Sequence, residues 1–286
     1  MMKTYYNLTK PGIIYGNAIT ATAGFFLASQ GQIDWQLLLA ALVGLSLIIA
    51  SGCVFNNLFD RDIDSRMERT KNRALAKGSI SKQSAIIYAI TLGLVGTLVL
   101  MNYTNFLTTL VALTGLFIYV GLYSPLKRHS IHATLVGSLA GATPPVVGYC
   151  AVTNQFDLGA IILFLILVAW QMPHFYVIAI RRLDEYRAAS IPVLPIKKGV
   201  QVTKIYIVIY IISYIIITSL LTVFGFTGVT FLAVTVFLGL TWLRFAIQGF
   251  RTPTNDQQWA SKMFRFSLVV LTILSLTIVI DSIILT

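Results

Sequence analysis

Three oxygen-bearing side chains recur at intervals of four residues near the end of an apolar stretch. They are Asn56, Asp60 and Asp64. If the stretch continues as a helix, residues four apart project from one face, so the three side chains form a single stripe. Two carboxylates one turn apart repel each other in low-dielectric surroundings unless a cation lies between them. Because the donors are all oxygens, without His or Cys, the stripe favours a hard divalent ion such as Mg²⁺.

The chain around this stripe carries an excess of positive charge. The basic residues are Arg66, Arg69, Lys71, Arg73, Lys77, Lys127 and Arg128. Metal-binding carboxylates among many Lys and Arg residues suit a polyanion that arrives with its metal, and a diphosphate is the simplest candidate. The alternative is that these carboxylates are ordinary interfacial charges paired with neighbouring Arg residues. Asp62, which lies off the stripe, fits that alternative well.

A second polar segment follows another apolar stretch, at residues 170–186. Read as a helix, it places His174, Arg181 and Glu185 on one face. A His inside an apolar span is costly and usually functional, although a hydrogen bond to a neighbouring helix would also explain it. The aromatic residues around this His form either an interfacial belt or the wall of a pocket for a large flat substrate.

The composition identifies the elements that must position these residues. Of the 286 residues, 57% are hydrophobic and only 11% are charged, with a mean hydropathy of +0.81. Soluble domains carry about 25% charged residues, so a soluble globular enzyme is excluded, as are a disordered chain and a disulfide scaffold. We therefore expect a polytopic protein surrounded by membrane lipid. A net charge of +11 would indicate nucleic acid in a soluble chain, but no nucleic-acid partner is expected here.

Nine apolar segments meet, or nearly meet, the length of about 20 residues that a helix needs to cross a bilayer. They are residues 13–29, 37–58, 85–101, 106–124, 132–153, 157–180, 203–224, 228–247 and 264–285. The fifth contains Gly137, Gly141 and the pair Pro144 and Pro145. We expect it to be kinked, and to let a neighbouring backbone approach at the two glycines.

The basic residues predict the orientation of these spans. All 21 Lys and Arg residues fall in the N-terminal segment, in the even-numbered connections or at the ends of the adjoining spans. The positive-inside rule places the N-terminus and the even connections in the cytoplasm, and the C-terminus outside. The first span is expected to be retained rather than cleaved as a signal. Because no Arg-rich presequence precedes it, we expect a bacterial inner membrane.

The motif Asn56-Asn57-x-x-Asp60-x-x-x-Asp64, the pair Tyr123-x-x-x-Lys127, the nine spans and the second acidic segment together resemble the UbiA superfamily of intramembrane prenyltransferases. The resemblance covers essentially the whole chain. It implies a single domain, residues 1–286, with an all-α fold: a polytopic bundle of nine transmembrane helices around a central cavity. It also implies a cytoplasmic cap, formed by the second and sixth connections, over a diphosphate site.

Longer motifs resemble the branch of the superfamily that modifies haem. They are residues 60–73, 141–149, 170–175 and 191–195. The implied reaction transfers farnesyl from farnesyl diphosphate to a vinyl group of haem B, with addition of water, and gives haem O and diphosphate. Mg²⁺ is the implied cofactor. An association with haem-handling enzymes or with terminal oxidase assembly is also implied, although no residue pattern shows it.

Residue by residue, the resemblance implies that the Asn56, Asp60 and Asp64 stripe holds Mg²⁺ on the diphosphate. Lys127 and His174 complete the expected catalytic set, and His174 could orient haem, ligate its iron or position the quenching water. The expected substrate-binding residues are Asn57, Arg66, Arg73, Lys77, Tyr123, Arg181 and Glu185.

One position departs from the wider superfamily pattern. Members that prenylate quinone precursors carry a second pair of Asp residues four apart, whereas here Arg181 stands four residues before Glu185. This leaves open whether a second Mg²⁺ binds or whether Arg181 supplies the charge instead. The pattern resembles that of the haem-modifying branch.

Three other functions remain open at this point. The first is prenylation of an aromatic quinone precursor such as 4-hydroxybenzoate. The second is cation transport, which the intramembrane Asp and Asn residues allow but which lacks an acidic path through the membrane centre. The third is haem binding without catalysis.

Overall fold

The computed structural model describes residues 2–251 and 255–284, and within these ranges the regular elements are all helical. In chain order they are α1 (Met2–Leu8), α2 (Pro11–Ser29), α3 (Trp35–Phe59), α4 (Arg61–Asp64), α5 (Lys82–Tyr103), α6 (Phe106–Phe117), α7 (Ser124–Leu126), α8 (Ala133–Gly141), α9 (Thr143–Thr153), α10 (Leu158–Arg181), α11 (Leu183–Ala188), α12 (Leu194–Lys197), α13 (Val200–Val223), α14 (Val229–Arg251) and α15 (Asp256–Ile284). A π-helical turn, Ile118–Tyr123, joins α6 to α7.

Nine helical segments long and apolar enough to cross a membrane are found among the described residues, which confirms the number predicted from hydropathy. Seven spans are single helices: α2, α3, α5, α10, α13, α14 and α15. The fourth span, Phe106–Leu126, combines α6, the π-helical turn and α7, and the fifth, Ala133–Thr153, combines α8 and α9. The last helix begins at Asp256 rather than at residue 264, because its first turns are helical although they are too polar for hydropathy to detect.

Side-chain caps define where several spans begin. Asp34 accepts hydrogen bonds from the backbone N–H groups at the start of α3, and Asp157 does the same for α10. Ser81 and Asn105 cap α5 and α6 in the same way. Each cap accepts hydrogen bonds from backbone N–H groups that have no partner within the first helical turn. Leaving these groups unpaired at a membrane boundary costs free energy.

The fifth span is broken as predicted. The chain turns at Ala142, between α8 and α9, and Pro144 and Pro145 lie in the first turn of α9, where no backbone N–H is needed. The prediction that a neighbouring backbone approaches the two glycines of α8 is wrong, because side chains lie there instead. A Cβ at Gly137 would meet the ring of Tyr123, and one at Gly141 would meet the side-chain amide of Gln171.

The bundle encloses a central cavity, as the resemblance implies. In the α10 and α8–α9 spans, 67% of the residues in the most apolar stretch are buried, so these spans lie inside. In α5 the share is 22%, so this helix lies at the periphery. α10 packs against α8, α9, α13 and α15, and α2 packs against α3, α9 and α15.

The segments that follow α3 and α10 meet over one end of the bundle, which we call the basic end. Ile63 and Met67 from the first segment pack against Ala189 and Ile191 from the second. This apolar contact forms the predicted cap.

The backbones of α2 and α9 approach each other closely at two glycines. A Cβ at Gly24 would lie 1.9 Å from the carbonyl oxygen of Pro145, and one at Gly148 would lie 1.9 Å from that of Ala21. Both obstructions are backbone atoms, which cannot rotate away. The two glycines therefore set the separation of α2 and α9.

We predict that Gly24→Ala lowers the stability of the purified protein by about 1–3 kcal/mol, because the added methyl group forces the two helices apart. Thermal unfolding in detergent measures the effect. Gly16→Ala, on the same helix with nothing within 4 Å of its Cβ position, is the matched control. Equal unfolding temperatures for the two variants would show that this contact does not set the packing.

Candidate functional site

The central cavity has a volume of about 460 Å³ and extends to residues at the basic end, among them Arg69 and Lys127. Its deep part is apolar, with walls that include Leu45, Ile48 and Leu116. Leu45 and Asp60, which both line it, lie about 22 Å apart along a helix that rises 1.5 Å per residue. The cavity is therefore long and has one apolar and one charged end, which suits an elongated amphipathic ligand.

The predicted stripe lies at the charged end. α3 ends at Phe59, but the backbone N–H of Asp60 still bonds Asn56 at 2.9 Å, and that of Asp64 bonds Asp60 at 2.7 Å. Helical spacing therefore continues across the junction with α4. All three side chains line the cavity, and each residue is no more than 4% exposed.

Each member of the stripe contacts one cation. Lys127 Nζ lies 2.7 Å from Asp60 Oδ2, and Arg73 Nη1 lies 3.0 and 2.8 Å from the two oxygens of Asp64. Lys10 Nζ donates to Asn56 Oδ1 at 2.6 Å. Buried carboxylates need such partners, because an isolated charge away from water costs several kcal/mol. Arg69 also lines the cavity, so its lining has four cations and two carboxylates.

One oxygen at this end is unsatisfied. Asp60 Oδ1 is buried and has no hydrogen-bond partner among the described residues. A buried anionic oxygen without a partner is costly unless a ligand binds it. The residues therefore fit a hard cation: two carboxylates and an amide oxygen face the same space.

The protein supplies too few ligands to enclose such a cation alone. Within residues 2–251 and 255–284, no group of three or more His, Cys, Asp or Glu side chains is placed to hold a metal. The remaining ligands would therefore have to come from water or from an anionic substrate, as is usual for Mg²⁺.

Lys10 lies at the corner between α1 and α2, in a left-handed backbone conformation with φ 52° that non-glycine residues rarely adopt. Asn57 holds this corner in place by donating to the carbonyl of Leu8 at 2.9 Å. Burial, together with the positive charges of Arg73 and Lys127, lowers the pKa of Lys10 to about 8. A cation held against such costs is typical of a functional site.

The π-helical turn of the fourth span shapes the opposite wall. It ends at Tyr123, whose ring stacks on that of Tyr119 with centroids 5.4 Å apart. Both rings line the cavity, and Lys127 follows one turn later. π-helical turns occur often at functional sites, since they redirect side chains that a regular helix would place elsewhere.

The structure gathers only part of the predicted set around the cavity. The predicted residues that line it are Asn56, Asp60, Asp64, Arg73, Tyr123 and Lys127. Those placed outside the lining are Asn57, Arg66, Lys77, His174, Arg181 and Glu185. Their roles stay predictions.

Three of the residues outside the lining have partners that explain their positions. Glu185 pairs with Arg182 and lies 3.7 Å from Arg69, and so reaches the cavity only through Arg69. The guanidinium of Arg181 lies over the ring of Phe264 on α15. Asp62, the carboxylate off the stripe, pairs with Arg128, and this hydrogen bond lowers the pKa of Asp62.

Sequence reasoning missed several lining residues. They are Lys10, Tyr119, Gln171 and Tyr186. Lys10 is indistinguishable in sequence from a charge that sets topology, and its partner Asn56 lies 46 residues away. The only local signal was its place directly before Pro11, which fixes the start of α2 at that point.

An all-α membrane bundle around a cavity of this charge pattern defines a class of intramembrane enzyme that handles amphipathic anions. A profile of the UbiA prenyltransferase family matches residues 17–268, and the chain belongs to this family. The solved structure of a digeranylgeranylglyceryl phosphate synthase has the same fold, with a TM-score of 0.82 at 19% identity, covering 99% of this chain and 98% of that one. A UbiA homologue from Archaeoglobus fulgidus, bound to GPP and Mg²⁺, aligns with a TM-score of 0.70 at 14% identity, covering 96% and 99%.

Nearer relatives are found among curated sequences. The protoheme IX farnesyltransferase of Protochlamydia amoebophila is 54% identical over 98% of this chain and 99% of its own length. The protoheme IX farnesyltransferase of Baumannia cicadellinicola is 52% identical over 99% of both chains.

We predict that Lys10→Gln weakens binding of inorganic diphosphate by about tenfold, the value of one charge-assisted hydrogen bond. Lys10 is the cleanest cation to remove, because its partner Asn56 is neutral and no carboxylate is left unpaired. Calorimetric titration of the purified protein measures the dissociation constant. Lys82→Gln, at an exposed position outside the cavity, is the control, and an equal effect in both variants would contradict a direct contact by Lys10.

Proposed function

We propose that this protein transfers farnesyl from farnesyl diphosphate to a vinyl group of haem B and produces haem O and diphosphate. The observation that carries the proposal is the two-ended cavity: an apolar channel ends at buried carboxylates and cations, with one oxygen of Asp60 unsatisfied. The relatives of more than 50% identity, named protoheme IX farnesyltransferase, support the choice of substrates.

The carboxylate stripe would hold Mg²⁺, with Asn56, Asp60 and Asp64 as its protein ligands. Bound there, Mg²⁺ would supply positive charge that stabilises the leaving diphosphate. The bound GPP and Mg²⁺ of the Archaeoglobus fulgidus UbiA homologue support this assignment.

Lys127, Arg73 and Lys10 take up the charge of the departing diphosphate. In the structure, these cations bond to the stripe itself. When a diphosphate enters, its oxygens can accept hydrogen bonds from the same donors. Fixed donors in a site with little water stabilise developing negative charge more strongly than water does.

The allylic cation that remains lies in the apolar part of the cavity. The stacked rings of Tyr119 and Tyr123 line the same cavity, and an aromatic face that meets a cation stabilises it by about 0.5–2 kcal/mol. Exclusion of water by the apolar walls protects the cation from premature capture.

The acceptor step joins the farnesyl cation to a vinyl group of haem and consumes one water. The terminal vinyl carbon of haem forms a bond to C1 of farnesyl, and the positive charge moves to the vinyl carbon next to the porphyrin ring. The oxygen of water bonds to that carbon and releases a proton. The product carries the hydroxyethylfarnesyl group of haem O.

We assign the basic end of the bundle to the cytoplasmic side of a bacterial inner membrane, with the N-terminus inside and the C-terminus outside. The support is the concentration of Lys and Arg residues in the connections at that end. The hydrophilic diphosphate group of farnesyl diphosphate would then reach the cations from the cytoplasm.

The proposal is tested by incubating the purified protein with farnesyl diphosphate, Mg²⁺ and haem B, and detecting haem O by mass spectrometry. We expect product with Mg²⁺ and none after chelation. Replacing haem B with 4-hydroxybenzoate should give no product. Prenylation of the hydroxybenzoate instead of haem would place the protein in a different branch of the family.

We predict that Asp60→Asn and Asp64→Asn each lower kcat at least a hundredfold, because each removes a metal-binding charge that acts on the leaving group. Asp62→Asn is the matched control: it lies on the same segment, but its side chain is 56% exposed and paired with Arg128, so we expect near-normal turnover. Equal losses in all three variants would point to damage to the segment rather than to metal binding.

A further inference from the structure

Gln171 is a buried polar side chain in the wall of the cavity, and it takes no part in the contacts between the stripe and its cations. It lies on α10 and is 5% exposed. Its amide Nε2 donates to the carbonyl of Ser138 on α8 and to that of Leu167 on its own helix, both at 3.1 Å. An amide that only joined two helices would have its oxygen paired as well, because an unpaired buried acceptor costs free energy.

The oxygen of this amide has a fixed direction. Both partners of Nε2 are carbonyl oxygens, which accept but do not donate, so the nitrogen must face them and Oε1 must lie on the remaining side of the amide. Oε1 accepts no hydrogen bond among the described residues. It is also absent from the fully buried side-chain atoms that lack a partner, so it reaches open space. The open space that Gln171 lines is the cavity.

Gly141 on α8 leaves the room that Oε1 occupies. A Cβ at this position would lie 2.1 Å from Oε1 of Gln171, well inside van der Waals contact, so a larger residue would displace the amide. Gly141 lines the cavity as well. The glycine therefore admits a side-chain oxygen to the cavity wall.

The amide lies close to where the farnesyl cation would form. A Cβ at Gly137 would meet the ring of Tyr123, and Gly141 follows one turn later on the same helix, about 6 Å at 1.5 Å per residue. Tyr123 in turn precedes Lys127 by one turn, since the backbone N–H of Lys127 bonds the carbonyl of Tyr123 at 2.9 Å. Along this wall the order is therefore a cation that takes up the diphosphate charge, an aromatic ring and the amide oxygen.

Two side chains in this part of the wall offer acceptors alone. Both protons of the Gln171 amide are committed to backbone carbonyls. The hydroxyl proton of Thr143, which also lines the cavity, is donated to the carbonyl of Ala140 at 2.9 Å. Acceptors without a free proton repel the oxygens of a diphosphate and suit an O–H group. In the proposed reaction, the O–H donor that is consumed beside the carbocation is water.

We propose that Gln171 Oε1 binds the water that quenches the carbocation formed on haem. The water donates one O–H to Oε1, which leaves an oxygen lone pair free to attack the vinyl carbon next to the porphyrin ring. Once the C–O bond has formed, the oxonium loses a proton to the diphosphate released in the same turnover. A fixed acceptor holds the attacking oxygen in place and stabilises the positive charge that develops on it. This inference rests on the proposed function for the identity of the acceptor.

A carbocation that meets no positioned water has a second route. It loses a proton from the adjacent carbon, the one just bonded to C1 of farnesyl, and forms a double bond conjugated with the porphyrin. The diphosphate takes up the proton in this route as well. The product is lighter than haem O by one water, so mass spectrometry separates the two.

The test is the ratio of the dehydrated product to haem O after incubation of the purified protein with farnesyl diphosphate, Mg²⁺ and haem B. Gln171→Met keeps the length of the side chain but has no acceptor oxygen, and should raise this ratio at least about tenfold, the value of one hydrogen bond. Met172→Leu, at a buried position of α10 outside the cavity lining, is the matched control and should keep the wild-type ratio. A wild-type ratio in Gln171→Met overturns the proposal.

The product ratio is insensitive to partial unfolding, because it is set by the molecules that turn over, whereas unfolding lowers only the yield. Gln171→Glu should restore a low ratio. A carboxylic acid buried at this position stays protonated, donates its O–H to one backbone carbonyl and keeps a C=O acceptor. A ratio as high in Gln171→Glu as in Gln171→Met would contradict the role of the acceptor.

Gly141→Ala tests the same assignment without changing Gln171. The added Cβ displaces Oε1, so the share of dehydrated product should rise here too. Gly12→Ala, with nothing within 4 Å of its Cβ position, is the control and should keep the wild-type ratio. A wild-type ratio in Gly141→Ala would contradict the placement of the acceptor even if Gln171→Met failed to fold.

The same measurement separates this inference from the proposed function. A wild-type protein that forms neither farnesylated haem refutes the proposed function, and the inference falls with it. Haem O formed with the same product ratio by the wild-type protein and by Gln171→Met refutes the assignment of the water alone.

Discussion

The site depends on keeping two carboxylates charged where water is scarce. Asp60 and Asp64 are 2% and 4% exposed, at the boundary between an apolar cavity and the basic end of the bundle. Lys127 and Arg73 compensate their charge, which would otherwise be prohibitive. The compensation is incomplete, because Asp60 Oδ1 has no partner among the described residues. That remaining capacity is where we propose that an additional cation binds.

The compensating groups come from different parts of the chain, so the charged end exists only when the bundle is folded. Lys127 follows the π-helical turn, Arg73 lies in the segment after α4, and Lys10 lies at the corner before α2. Thr70 bonds the carbonyl of Asp64 at 3.1 Å and holds the segment that carries Arg73. The apolar cap and the Glu185 contact to Arg69 connect this segment to the one after α10. A diphosphate that bridges these cations would therefore link the corner before α2, the segment after α4 and the end of the fourth span.

Much of the fold and part of the site could be predicted from local sequence patterns. The nine spans follow from runs of apolar residues, and the shared face of Asn56, Asp60 and Asp64 follows from helical spacing that continues past Phe59. Long-range contacts were not predictable. Lys10 joins the site through a partner 46 residues away, and no local period indicates it.

Helix α10 also makes contacts that the sequence could not predict. Spacing predicts that His174 and Arg181 share a face, but not which neighbour that face meets. The cavity receives Gln171, Phe175 and Ile178 instead, and His174 contacts Ser267 on α15. Helical periodicity identifies faces, whereas the assignment of each face to a cavity or to a partner helix is made by tertiary packing.

The most direct measurement of the central claim is the affinity for farnesyl thiolodiphosphate, an analogue that resists ionisation, as a function of Mg²⁺ concentration. If the carboxylates and the substrate share one metal, binding should strengthen at least about tenfold with Mg²⁺ in the wild-type protein and lose that dependence in Asp60→Asn. Equal affinity with and without Mg²⁺, or the same Mg²⁺ dependence in the variant, would contradict the account.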